Sequence, residues 1–210
     1  MTGTRPSRAA AGSPARSRAG RIAGDRRREL IALAAGRLFA AGGYAGTRME
    51  DIAAAADVTK PMVYRHFESK KELYLALLAR HEDDLPTFFE VVDPSGDQLS
   101  GEAIVGRILE RWLDYVRANA HAWAMLFRDS SGDEEIQARR LRVSLTAREV
   151  MAAFVAERAG PGIPAEQVEP TAAMLTSGLA GLAMWWIDRP EVPKSVVVEV
   201  AARMAAPAVG

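Results

Sequence analysis

Between Thr47 and Glu72 the chain reads TRMEDIAAAADVTKPMVYRHFESKKE, and three helix-start signals crowd into that stretch. Such crowding leaves no room for a long helix there. Thr47 with Glu50, and Ser69 with Glu72, fit the capping box, in which side chains satisfy orphan amides at a helix N-terminus. Thr59 is placed to cap the helix between them, with Pro61 tolerated inside its first turn. Two short helices joined by a tight turn make a helix-turn-helix. Its second helix carries Lys60, Tyr64, Arg65 and His66, the outline of a DNA reader.

The run from Ile31 to Leu73 resembles the DNA-binding domain of the TetR family of one-component bacterial transcription regulators. The matching residues are Ile31, Ala34, Ala35, Leu38 and Phe39 on the first helix, then Gly43-Tyr44 and Thr47. After these come Asp51-Ile52-Ala53, Ala56, Val58-Thr59, Tyr64, His66-Phe67, Lys70 and Leu73, in order and without a gap. The resemblance implies an all-α fold: an N-terminal three-helix helix-turn-helix domain and a larger C-terminal helical domain for ligand binding and dimerisation. One residue departs from the pattern. Where the family usually has Gly in the turn, this chain has Asp57, a residue that tolerates the left-handed conformation better than most.

Net charge is zero, but the zero hides a division. Residues 1–81 hold 15 Lys/Arg against 7 Asp/Glu, and residues 82–210 hold 12 against 20. A basic N-terminal third joined to an acidic remainder suggests that only the first part meets a polyanion. The first 28 residues carry 8 Arg and one Asp among Ala, Gly, Ser and Pro. That composition predicts a disordered arm over residues 1–24, either a solvated tail or a carrier of phosphate and minor-groove contacts. Arg26, Arg27, Arg28 and Arg21 are the candidates for such contacts.

Periodicity predicts helix nearly everywhere else. The DNA-binding domain is expected over 25–80 and the ligand-binding and dimerisation domain over 81–210. Helix one is expected from Asp25 to Ala41, with Leu30, Ile31, Ala34, Leu38 and Phe39 on one face and Gly42-Gly43 ending it. Gly36 inside it is a weak spot, costing about 1 kcal/mol relative to Ala. Helix two is expected over Arg48–Ala56, helix three over Lys60–Phe67, and helix four from Lys70 until Pro86 ends or kinks it. Asp93 to Asp97 reads as a loop. Further helices are expected at about 100–118, 120–129, 134–159, 165–188 and 193–206.

Each DNA-facing residue has an expected task. Thr47 can offer its hydroxyl and nearby amides to a phosphate, and Arg48 can reach a guanine edge. Thr59, Lys60, Pro61 and Met62 open the recognition helix, where Pro61 and Met62 can pack on thymine methyls but cannot hydrogen-bond a base. Arg65 lies on the same basic helix. The resemblance makes Tyr64 and His66 a phosphate-contacting pair, with Lys70 as the lysine opening helix four. Val58, Val63 and Phe67 are expected in the core.

Residues 171–187, TAAMLTSGLAGLAMWWI, are apolar nearly all round, which implies burial on more than one side. Ser177, Gly178 and Gly181 leave room for another helix, and Val196–Met204 is amphipathic. These last two helices resemble the family's dimerisation pair, which implies a homodimer through a four-helix interface. Trp185-Trp186 would straddle core and interface. Trp112, Tyr115, Trp123, Phe127, Phe154 and Met174, with Met125, lie in the region where the family keeps its cavity. Singly each is an ordinary core residue; together they suggest a pocket for a lipophilic or aromatic small ligand. Arg107, Arg111, Arg117 and Arg128 are candidates for an acidic head group.

Other function classes find little support. There is no GxGxxG, phosphate loop, nucleophile elbow or HExxH, so no enzyme and no cofactor are expected. Zero cysteines remove disulfides and thiolate chemistry. His81 stands beside Glu82, Asp83 and Asp84, but neighbours in sequence point to different helix faces, which favours a solvated helix end over a metal site. No apolar run approaches the ~20 residues of a bilayer span and no signal peptide is apparent, so a cytoplasmic protein with no membrane partner is expected. The expected whole is a homodimeric repressor, released by ligand from a palindromic double-stranded operator.

Overall fold

Helix-forming residues dominate this chain, and helix is what it builds. A computed structural model describes residues 14–88, 101–128, 132–159 and 163–208. Among them run α1 (Pro14–Gly46), α2 (Met49–Ala55), α3 (Lys60–His66), α4 (Lys70–Asp84), α5 (Gly101–Ala118), α6 (Ala120–Phe127), α7 (Glu134–Ala159), α8 (Ala165–Ile187) and α9 (Lys194–Ala205). No strand occurs among the described residues, and no helix among them is long and apolar enough to cross a membrane. The all-α class expected from periodicity is the class observed. The loop expected at Asp93–Asp97 lies outside the described residues.

The N-terminal arm departs from expectation. Helix α1 begins at Pro14 rather than Asp25, so residues 14–24, expected to be disordered, are helical. Arg and Ala, both strong helix formers, fill that segment, and Pro is tolerated at a helix start. Composition alone had weighed their failure to bury surface, not their propensity. At its other end α1 breaks at Gly43, where φ is 69°, a left-handed value that suits a residue without Cβ.

Two apolar clusters organise the molecule. The first joins α1 to α4 through Ile31, Phe39, Ile52, Val63, Phe67 and Leu73, all essentially buried. It also takes in Met125 of α6 and Ile136 of α7, and the buried Tyr74 hydroxyl donates 3.1 Å to the Met125 carbonyl. The second joins α5, α7, α8 and α9 around Leu113, Val116, Val155 and Trp186. The expected domain boundary at residues 80 and 81 falls inside α4, which runs unbroken across it. Helix α4 therefore belongs to both halves.

Gly36, a propensity weak spot in the sequence, has a packing reason. A Cβ placed there would stand 2.4 Å from Cδ2 of His121 on α6. The missing side chain leaves the room that the His121 ring occupies against α1. Leu30, expected on the inner face of α1, is 48 % exposed, and Leu38 is half-buried.

Candidate functional site

The turn between α2 and α3 is built as its residues require. Asp57 sits at φ 53°, the left-handed position expected for it, and Val58 donates from its amide to the Ala53 carbonyl at 3.0 Å. Val63 and Phe67 are buried, which turns the opposite face of α3 outward. On that face Thr59, Lys60, Pro61, Tyr64 and Arg65 are exposed, with Arg48 exposed beside them; Met62 and His66 are half-buried. Lys60 pairs with Glu50 of α2, and its ammonium holds the Glu50 carboxyl below the usual range. Burial, then Arg27, Arg28 and Arg65, pushes His66 below the ordinary imidazole value.

Three expectations for this face need correction. Thr47 is buried, and its hydroxyl donates inward, 2.9 Å from the Gly43 carbonyl and 3.2 Å from that of Leu38. The residue preceding α2 is Arg48, so the Thr47–Glu50 pair sits one residue too early to cap it and Thr47 ties down the end of α1 instead. Thr59 does precede α3, but its side chain makes no capping bond. Arg28, a candidate phosphate contact, donates 2.6 Å to the His66 carbonyl and stacks 4.1 Å over the Phe67 ring. Ser69 caps α4 as expected, accepting from the Glu72 amide at 3.0 Å, while the Glu72 carboxylate reaches back one residue further and accepts from the Glu68 amide.

Lys70 is partly committed inside the protein. Its ammonium donates to the carbonyls of Tyr44 at 2.7 Å and Thr47 at 3.0 Å, and it lies 4.4 Å from the Tyr44 ring centroid. One of its three N–H groups remains for an outside acceptor. Lys70→Met should therefore lower stability by about 2 kcal/mol, because two part-buried carbonyls lose a charged donor. Urea unfolding checks this, and an unchanged midpoint would mean that the lysine acts only toward an outside acceptor.

A cavity of about 300 Å³ opens between α4, α5, α6, α7 and α8. Trp112, Tyr115, Trp123, Phe127 and Phe154 all line it, as the sequence suggested. Met174 does not: it is 66 % exposed, and its neighbour Leu175 lines the cavity instead. One residue along a helix turns the side chain by about 100°, so an apolar run cannot say which member faces in. Met125 is buried in the N-terminal core rather than in the cavity wall. Arg107, Arg111, Arg117 and Arg128 stay outside the cavity as well. Arg117 stacks 4.1 Å over the Trp186 ring, Arg128 pairs with Asp188, Arg111 donates to the Thr87 carbonyl, and Arg107 is exposed.

Periodicity missed the polar residues of the wall. His81 is only 5 % exposed and lines the cavity, contrary to the expected solvated end. Its Nδ1 meets the Tyr115 hydroxyl, which lies 3.0 Å from Oδ2 of Asp84. A phenol has one hydrogen. Given to the Asp84 carboxylate, it leaves Nδ1–H of His81 as the donor to Tyr115 and Nε2 as a bare acceptor. That Nε2 is buried with no partner among the described residues. Burial is the main reason that His81 is pushed down to about 4, with His121 adding to it, and burial then Asp84 pushes the Tyr115 hydroxyl up.

The His81 shift has a pH consequence. The neutral ring is favoured by folding, so its contribution is complete above the unfolded value near 6.5 and is lost as pH falls toward about 4. That loss amounts to about 3 kcal/mol. Urea unfolding between pH 7 and pH 4 should show His81→Asn losing less stability than the unsubstituted protein over this window. Parallel curves would contradict the buried neutral histidine.

Helix α4 is held along its length by α7. Lys71 pairs with Asp133 at 2.9 Å and Glu135 at 3.3 Å, and Glu82 pairs with Arg139 at 2.5 Å and accepts from Thr146 at 3.3 Å. The last two helices leave an apolar face uncovered. Met174, Trp185, Val196, Val200 and Met204 are exposed, and a Cβ at Gly178 or Gly181 would meet nothing within 4 Å. Trp186, next to Trp185, turns inward and donates 2.9 Å to the Val192 carbonyl. The two tryptophans thus divide between the core and the exposed face.

Comparison with known proteins agrees with this architecture. Residues 31–77 match the domain described as bacterial regulatory proteins, tetR family. The HTH-type transcriptional activator FasR of Mycolicibacterium smegmatis is 29% identical over 184 residues, covering 87% of this chain and 82% of that protein. A tetR-family transcriptional regulator from Streptomyces coelicolor superposes with a TM-score of 0.64 at 25% identity, over 87% of this chain and 80% of that one. A transcriptional regulator of Aquifex aeolicus VF5 shares the fold, with a TM-score of 0.67 at 19% identity over 85% of this chain and 96% of its own. With a helix-turn-helix head, a helical body and these relatives, the chain carries the DNA-binding domain of the tetR family of bacterial regulatory proteins over residues 31–77 and is similar along most of its length to transcriptional regulators of that family.

Proposed function

We propose that the protein is a homodimeric repressor that binds an approximately palindromic operator and leaves it when a small lipophilic ligand fills the cavity. The observation that carries this reading is α4: one helix of 15 residues opens at the DNA-facing head with Lys70 and reaches the cavity wall at His81. At 1.5 Å per residue it is about 22 Å long, so a small tilt at the cavity becomes a displacement of the head. A ligand acts through it only by preferring one head spacing over the other.

On this reading the head comprises α1 to α4, and the body carries the cavity and the dimer face. Arg48, Thr59, Lys60, Pro61, Met62, Tyr64, Arg65 and His66 form the DNA surface, with the free N–H of Lys70 at its edge. Lys60 exchanges Glu50 for a phosphate when DNA arrives. Thr47 acts from behind, holding α1 and α2 together rather than touching DNA. The exposed apolar faces of α8 and α9 pair with those of a second copy and set two recognition helices one operator turn apart. Such a protein works in the cytoplasm, where its operator is.

A second reading is activation, favoured by the 29% identical relative that is named an activator. Selection of bound genomic fragments by the purified protein, followed by sequencing, tests both. Enrichment of a few palindromic sites overlapping promoters supports repression, and sites upstream of promoters support activation. No enrichment at low or moderate salt removes the DNA-reading proposal for the protein in its purified state.

A further inference from the structure

The cavity wall is apolar almost throughout, yet one full cation stands in it. Arg148 lies on the face of α7 that also presents Ser144, Ala147 and Met151 to the cavity, the spacing of a single helical face. Its Nε is buried and has no hydrogen-bond partner among the described residues. Neighbouring arginines differ. The Nε of Arg139 is unpartnered too, but its guanidinium is neutralised by Glu82, and Arg140 donates 2.8 Å from Nε to the Leu126 carbonyl. Arg148 appears in no ion pair among the described residues, and no Asp or Glu lines the cavity. The residue is half-buried, and the Nε keeps its desolvation cost unless an acceptor arrives with the ligand.

We infer that the cavity recognises an amphipathic monocarboxylic acid, its carboxylate paired with Arg148 and its apolar tail lying among Trp112, Trp123 and Phe154. The inference rests on the reading of the cavity as the ligand site. A planar carboxylate matches the fork of a guanidinium, and one negative charge matches the one cation present. His81 cannot compete for that role at neutral pH, because it is uncharged there. The volume of about 300 Å³ suits an alkyl chain or a small ring system.

The test uses the 210-residue protein without DNA and reads its tryptophan fluorescence, to which the cavity-lining Trp112 and Trp123 contribute. Dodecanoate and its uncharged methyl ester are titrated into the protein and into Arg148→Met, Arg148→Gln and Arg148→Lys. Dodecanoate should bind about tenfold or more tightly than the ester, as expected for a charge-assisted pair. Met or Gln at 148 should abolish that preference while ester binding persists, and Lys should keep part of it. Equal affinities for acid and ester in the unsubstituted protein overturn the inference without any variant. So does a preference that survives in Arg148→Met, or an absence of binding across alkanoates from octanoate to hexadecanoate. Operator binding is measured separately. Acid-selective binding that leaves operator affinity unchanged would remove the ligand-release reading and leave the carboxylate inference standing.

Discussion

Val200→Asp together with Met204→Asp should turn the protein into a monomer and weaken operator binding by about a hundredfold or more. Val196, Val200 and Met204 recur every fourth residue along α9 and are 47%, 43% and 75% exposed, an apolar stripe with nothing over it in the single chain. Two carboxylates in the middle of such an interface would be buried without cations to meet them, which opposes association strongly. The DNA effect follows from avidity, since a monomer engages one half-site where the dimer engages two. Sedimentation velocity reads the first result and operator titration the second. A dimer that survives both substitutions would place the interface elsewhere, with the exposed Leu141 and Leu145 of α7 as the next surface to change.

Tyr64→Ala with Arg65→Ala should cost a comparable factor by a different route. Both side chains are exposed on α3, and each good contact to a base or phosphate contributes about 1–3 kcal/mol. Removing one charged phosphate contact per subunit should also lower the log–log salt slope of binding by about 1.8, at about 0.9 per phosphate. Stability should move by no more than about 0.5 kcal/mol, because neither residue supports the core. Loss of affinity with an unchanged salt slope would assign Arg65 to a base edge rather than a phosphate. Unchanged affinity would remove α3 as the reading helix. Lys70 is a poorer probe than these two, because its replacement also unties the Tyr44 and Thr47 carbonyls.

The helices were legible because their signals are local. Gly43 breaks α1 beside the Gly42-Gly43 stop, Asp57 takes the left-handed turn, Ser69 caps α4, and α7 spans Glu134–Ala159 as its periodicity predicts. What sequence could not supply was the partner of each polar group. The Thr47–Glu50 spacing imitates a capping box, but the carbonyls that Thr47 serves lie back in α1, at Leu38 and Gly43. Arg28 finds the His66 carbonyl 38 residues away, and nothing near either residue announces it. The cavity shows the same division. Its aromatic wall was visible in composition, whereas His81 and Arg148 sit among charged neighbours on mixed helices. Only the packing of α4 against α7 selects them.

Gly36 gives the molecule a constraint that its helix propensity conceals. A designer seeking a stiffer α1 would replace this glycine with alanine, expecting a gain of about 1 kcal/mol. The new methyl would strike the ring of His121 and force that side chain to move. His121 adjoins Ala122 and Trp123 of the cavity wall on α6, and its ring centroid lies 6.1 Å from that of the cavity-lining His81, so a change made in α1 would be felt in the wall of the chamber. The shape of that chamber is thus set in part by an atom that α1 lacks.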